Sequence, residues 1–244
     1  MYDFNILGVY LWRRTFNCLD YGKKEMKMKK KEETTVQKAI QDFIDTKLPL
    51  LLNPKDCYIY NEFSLQHELG IHLRNELKEQ GYKIQFERNI DDVNKQYFKT
   101  DFSKTLMKKE MDIYIRHGND HYAIELKFPL KKQSAREVHM YHFIEDIVFM
   151  KQAKNMGFKE TFVLTLVNDP GYYKQSNRKC KEVYKIFRQP SFSISDNKIK
   201  IVNESIKGQY TPFPDDLDMD QSFDWNTILN QETSDYRYYF ESIK

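Results

Sequence analysis

The chain has 244 residues, 39 Lys and Arg against 36 Asp and Glu for a net charge of +3, and 40% apolar and 31% charged residues. That length fits one large domain with appendages, and the composition is too apolar for disorder and too charged for a membrane bundle. No uncharged apolar run approaches the roughly 20 residues a bilayer span requires, and the start Met1-Tyr2-Asp3-Phe4 has no secretory pattern, so a soluble, cytoplasmic protein with no membrane partner is expected.

In chain order, residues 23–31 hold six Lys and one Glu, and residues 1–31 read as a basic N-terminal extension, a solvated tail by its like charges. Val36, Ile40, Phe43 and Ile44 predict a short helix over 33–48. Leu65, Leu69, Leu73 and Leu77 predict a longer one over 61–80, with Gly81 at its terminator position. A strand follows at 82–88, then a polar connection, then two strands over 109–116 and 121–128, the last ended by Pro129. Phe143, Ile144, Ile147, Met150 and Ala153 predict a helix over 137–156 ending at Gly157, and 161–167 is a β-rich apolar run. Farther on, a short helix at 181–187, a hairpin over 192–202 and an aromatic end at 236–240 are expected, with eight acids between 214 and 244. The core domain is placed at 32–190, and 191–244 is a C-terminal hairpin with an acidic, aromatic extension packed on it.

Chemistry concentrates in EMDIYIRHGNDHYAIELKFP, residues 110–129. A two-residue turn at Gly118-Asn119 makes paired positions sum to 237, setting Ile115 against Tyr122, Ile113 against Ile124 and Met111 against Leu126 on an apolar face. The opposite face then carries Tyr114 with Ala123, Asp112 with Glu125, and Glu110 with Lys127. Like charges directly opposed across strands destabilise a sheet, and a bound cation resolves the conflict. Hard divalent ions take carboxylate and carbonyl oxygens, so Asp112, Glu125 and the Leu126 carbonyl can make such a site. Lys127, on the same face as Glu125, can orient an attacking water or offset charge developing at phosphorus. The bland alternative is an exposed charged face with one ion pair worth at most about 1 kcal/mol.

The pattern Asp112, then Glu125-Leu126-Lys127, resembles the PD-(D/E)XK nuclease superfamily, with Met111 where the name pattern has proline. The resemblance covers roughly residues 60–170. It implies an α/β restriction-endonuclease-like fold, an α-β-β-β-α-β core with a mixed sheet flanked by helices. It also implies a Mg²⁺- or Mn²⁺-dependent endonuclease or phosphodiesterase acting on DNA, with RNA not excluded, in restriction, defence or repair. Asp112, Glu125, Lys127 and Glu68 are the implied catalytic residues, and Asp112, Glu125, Leu126 and Glu68 the implied metal ligands. Glu68 is drawn from the helix before the first strand, with Glu62 as second choice. Many nucleases of this fold act as homodimers. A non-catalytic protein using the same fold to bind nucleic acid or a protein partner is the alternative.

Other signals carry less. Cys18, Cys57 and Cys180 are odd in number and far apart, which supports neither a disulfide framework nor a cysteine zinc site. His67-Glu68 is followed by His72 at the wrong spacing for H-E-x-x-H, His139 and His142 lack further ligands, and no glycine-rich phosphate loop is present. Lys131, Lys132 and Arg136 would add positive charge beside the site for phosphate contacts. Tyr141, Glu145 and Asp146 read as the solvated face of their helix.

Overall fold

A computed structural model describes residues 33–53, 55, 58–101, 106–130, 135–175, 181–206, 208–228 and 235–244. The basic extension, all three cysteines, Lys131 and Lys132 lie outside the described residues. Residues 33–244 form one unit.

Helix α1, Thr35–Asp42, starts at an N-cap in which Thr34 Oγ1 accepts from the Gln37 N–H, and it continues through a π-helical turn, Phe43–Lys47, into α2, Leu48–Leu51. Helix α3, Glu62–Leu77, is opened by a capping box: the Asn61 side chain accepts from the Ser64 N–H, and the Ser64 hydroxyl accepts from the Asn61 N–H. Gly81, at φ +81°, ends the 3₁₀ turn that extends it. Strands β1 (Lys83–Asn89), β2 (Glu110–His117) and β3 (Asp120–Lys127) follow, with α4 (Ile90–Val93) and a π-helical turn, Asn94–Phe98, between the first two. Next come α5 (Arg136–Met156), β4 (Glu160–Val167), α6 (Glu182–Phe187), β5 (Ser191–Ser195), α7 (Asp196–Ile206), β6 (Asp220–Asp224), β7 (Asn226–Thr227) and β8 (Arg237–Ser242).

The fold is α/β, built on a mixed six-stranded sheet in the order β1-β2-β3-β4-β8-β7, in which β3 and β4 run parallel and the other neighbours antiparallel. One face packs Ile113, Ile115, Ile124, Leu126 and Leu164 against α1, α2 and α3. The other packs Tyr114, Ala123 and Val163 against α5, α6 and α7. Both faces of the central strands are therefore buried, which excludes the exposed charged face. No helix among the described residues is long and apolar enough to cross a membrane.

The β2–β3 turn matches expectation: Gly118 has φ +58° at the first turn position, as type II′ geometry asks, and the ladder pairs His117 with Asp120 through Ile113 with Ile124. It does not continue. Met111, expected beside Ile113 and opposite Leu126, belongs to the cluster on the other sheet face. The hairpin expected at 192–202 is also corrected: β5 ends at Ser195, its partner is β6, and Asp196 opens α7. Ile199, Val202 and Ile206 satisfy a helical period and are buried, which prevails over the strand-like alternation of the same segment.

Gly70 sets how closely α3 can lie on the sheet. A Cβ there would stand 2.1 Å from Phe86 Cζ of β1. Gly70→Val should lower stability by about 1–3 kcal/mol through overpacking, read as a fall in the urea midpoint. An unchanged midpoint would mean that α3 has room to spare.

Candidate functional site

The irregularity of β2 builds the site. At Asp112 the ladder lapses on both sides: β1–β2 pairing skips from Phe86–Ile113 to Arg88–Met111, and β2–β3 pairing ends at Ile113–Ile124. Glu87, facing the lapse, has φ +48°, a backbone conformation rare for a residue with a side chain. Side chains replace the missing main-chain bonds. Gln66 of α3 donates to the Asp112 carbonyl at 2.7 Å and to Glu87 Oε1 at 2.5 Å. The Leu126 N–H donates to Asp112 Oδ2 at 2.6 Å, and the Asp112 N–H donates to Glu125 Oε1 at 3.2 Å. The two acids are thus joined by reciprocal side-chain-to-backbone bonds across opened strands. Since the N–H and C=O of one strand residue point to the same edge, the Leu126 carbonyl faces the same opening.

Around this pair the fold gathers four further charged groups. Lys108, in the loop entering β2, donates to Glu125 Oε2 and, at 3.0 Å, to Asp146 Oδ1 of α5. Lys127 Nζ lies 3.0 Å from Glu62 Oε1 and 3.7 Å from Asp146 Oδ2. The other Glu62 oxygen accepts from the Phe128 N–H at 3.1 Å. Asp146 Oδ2 is buried and accepts no hydrogen bond. Glu125 and Asp146 are 1% and 3% exposed, so both carboxylates have left water almost completely, while Asp112 is half-buried.

Burial dominates the electrostatics. Desolvation pushes the Asp112 carboxyl up to about 7, Lys108 working against it and Asp146 with it. Glu125 is raised by burial and then by the Asp112 charge. Burial pulls Lys127 down, but Asp146 and Glu62 outweigh it, and its ammonium is held above the usual lysine range. Lys108 is raised in the same way by Asp146, Glu125 and Asp112 against burial.

Of the expected site residues, the structure brings together Asp112, Glu125, Leu126 and Lys127. Glu68 has His67 Nδ1 at 3.7 Å and, among the described residues, no hydrogen bond or ion pair to the other expected site residues. The helix acid that reaches Lys127 is Glu62, carried in the first turn of α3 by the capping box. Glu110, expected opposite Lys127, has no partner in the β2–β3 ladder, which ends at Ile113–Ile124, and pairs only with Asn89 of β1. Asp146 is not on a solvated face: it lies three or four residues from Phe143, Phe149 and Met150, all fully buried, and a lone acid within such a stripe is the signal that marks it. Lys108 lies in an irregular loop, where periodicity offers no signal. Arg136 is bound to Asp169 at 2.6 Å, and His139 lies 2.6 Å from the Tyr172 hydroxyl. No group of three or more His, Cys, Asp or Glu among the described residues is disposed to hold a metal ion by side chains alone.

No protein-family model matches this chain, and neither the curated proteins nor the solved structures contain a match to it.

The raised Asp112 pKa fixes the sign of a pH effect. A carboxyl near 7 when folded and about 3.9 when unfolded binds more protons in the folded state between those values, so its contribution to stability declines as pH rises from about 4 to 7. Asp112→Asn abolishes that titration. In EDTA, the stability of Asp112→Asn relative to wild type should therefore rise between pH 4 and 7, as read from urea midpoints. A relative stability constant across that range would place the Asp112 carboxyl near its ordinary value.

Proposed function

We propose that this chain is a divalent-metal-dependent nuclease with the restriction-endonuclease-like fold of the PD-(D/E)XK type, hydrolysing phosphodiester bonds in DNA. One observation carries the reading: at the opened end of β2 and β3 four carboxyl groups, Glu62, Asp112, Glu125 and Asp146, meet only two ammonium groups, Lys108 and Lys127, an excess of acids that is met here by raising Asp112 and Glu125 toward the neutral form and that a bound cation would let ionise. A divalent cation is the natural counter-charge, and two carboxylates with a strand carbonyl suit a hard ion such as Mg²⁺ or Mn²⁺ by donor chemistry. The order α3-β1-α4-β2-β3-α5-β4, an α-β-β-β-α-β core with the short α4 inserted after β1, and the mixed sheet support the finer fold assignment.

Asp112, Glu125 and the Leu126 carbonyl would hold the ion, which would supply Lewis-acid charge beside a scissile phosphodiester. Lys127, fixed by Glu62 and Asp146, orients the attacking water or offsets charge on the phosphoryl oxygens. Glu62 takes the part expected of Glu68. The water oxygen bonds to phosphorus and gives up a proton, the ester P–O bond breaks with its electron pair staying on the departing oxygen, and that oxygen takes up one proton, so the water's proton is balanced by the one gained.

A second reading, a nuclease-fold protein that binds nucleic acid or a protein partner without cleaving, is favoured by one observation: the Lys108 ammonium already contacts Glu125 and Asp146. Incubation with mixed DNA substrates and Mg²⁺ or Mn²⁺ separates the two. A nuclease should cleave, and Lys127→Ala should lose about 10²–10³-fold in rate. Mg²⁺ should also raise the melting temperature of Lys108→Met more than that of wild type, because binding to the folded state stabilises it and the competing cation is gone. Cleavage undiminished in Lys127→Ala removes the role of that lysine. No cleavage by wild type, together with no Mg²⁺ shift in either protein, leaves the binding reading.

A further inference from the structure

At the other end of β2 the charge has the opposite sign. A cavity of about 270 Å³ opens between β1, β2 and the Asn94–Phe98 turn, lined by Lys83, Gln85, Arg88, Tyr97, Tyr114 and Arg116, with Gln96 at its rim. No carboxylate is among these residues. Ladder register sets Lys83 directly opposite Arg116 and Gln85 opposite Tyr114, so two cations stand as a cross-strand pair. Like charges in that position destabilise the sheet. Among the described residues neither Lys83 nor Arg116 has a carboxylate within 4.0 Å, and Arg88 has only Asp92, at 4.0 Å. The Arg116 guanidinium lies over the Tyr97 ring, 5.5 Å from its centroid, a contact that uses the face of the cation and none of its N–H groups. The Tyr114 hydroxyl closes the floor, bonded to His121 Nδ1 at 2.6 Å.

Three cations and two amides around a polar cavity match the chemistry of a phosphate group, which an arginine grips bidentately and a lysine as a point charge. We propose that this cavity is a phosphate subsite, formed by Lys83, Arg88 and Arg116, that holds a backbone phosphate of a bound nucleic acid. The choice of nucleic acid as the source rests on the nuclease reading; the phosphate chemistry does not. Arg116 is four residues from Asp112 along β2, about 13 Å at strand rise, close to the axial rise of about four base-pair steps of a duplex. The subsite would fix register on the backbone at a distance from the acidic centre, and would carry no base recognition.

The test is binding of a labelled DNA duplex to the full chain in EDTA, followed by anisotropy over a range of salt. Relative to wild type, the K83Q/R116Q variant should bind about tenfold more weakly, with a log Kd against log salt slope smaller by about 1, as loss of one phosphate contact requires. The charge-preserving K83R/R116K variant should keep the wild-type slope, which separates charge from folding. If duplex binding is unchanged but inorganic phosphate raises the melting temperature of wild type and not of K83Q/R116Q, the subsite stands and its source is a free phosphate. Equal slopes and equal phosphate responses in wild type and K83Q/R116Q overturn the proposal, as does displacement of the duplex by poly-glutamate at matched charge. Because cleavage is not measured, absence of nuclease activity with the slope difference intact would remove the nuclease reading and leave the subsite.

Discussion

Glu125 and Asp146 can be buried between the sheet and α5 only because the half-buried Lys108 and Lys127 reach in beside them. An isolated carboxylate out of water costs several kcal/mol, and removing one partner of a buried pair typically costs about 3–5 kcal/mol because the other charge is left uncompensated. Here the compensation is incomplete. Asp146 keeps one oxygen without a hydrogen bond, and the Asp112 carboxyl is displaced toward neutrality. Apolar residues of similar volume are often neutral or stabilising at such positions, so cohesion alone does not account for six ionisable groups gathered here.

The sheet accommodates this cluster by giving up regularity at one residue. Had the β2–β3 ladder continued through Asp112 and Glu125, both main chains would have bonded each other and both carboxylates would have crowded one face. Instead the strands part, Gln66 and the two acids satisfy the freed main-chain groups, and Glu87 adopts a left-handed backbone conformation opposite the gap. A backbone outlier and a side-chain-bonded main chain in one place are what a site held open by its surroundings requires.

β2 consequently carries two charge centres of opposite sign, carboxylates at the Asp112 end and cations at the Arg116 end, with buried Tyr114 between them. The aromatic group formed by Tyr97, Phe98, His121 and Phe158 holds the Asn94–Phe98 turn over the basic end. The rigidity of the central strands, apolar on both sides, is what fixes the spacing between the two centres.

Much of the framework was legible locally. The leucines of α3, the apolar stripe of α5, the glycine stops at Gly81 and Gly157 and the Gly118-Asn119 turn are short-range signals, and the turn fixed the register from His117–Asp120 to Ile113–Ile124. The segment 192–202 was misread because its residues fit both periods, and pairing of β5 with the distant β6 left Asp196 onward free to form a helix. The sequence by itself determined that β2 pairs with β3 and that Asp112 and Glu125 come to the same end of that hairpin. Only the tertiary structure decided that Glu62 rather than Glu68 joins them, that Asp146 turns inward and that Lys108 enters from a loop. Desolvation and charge neutralisation depend on what packs over a residue from elsewhere in the chain, and local spacing carries no record of that.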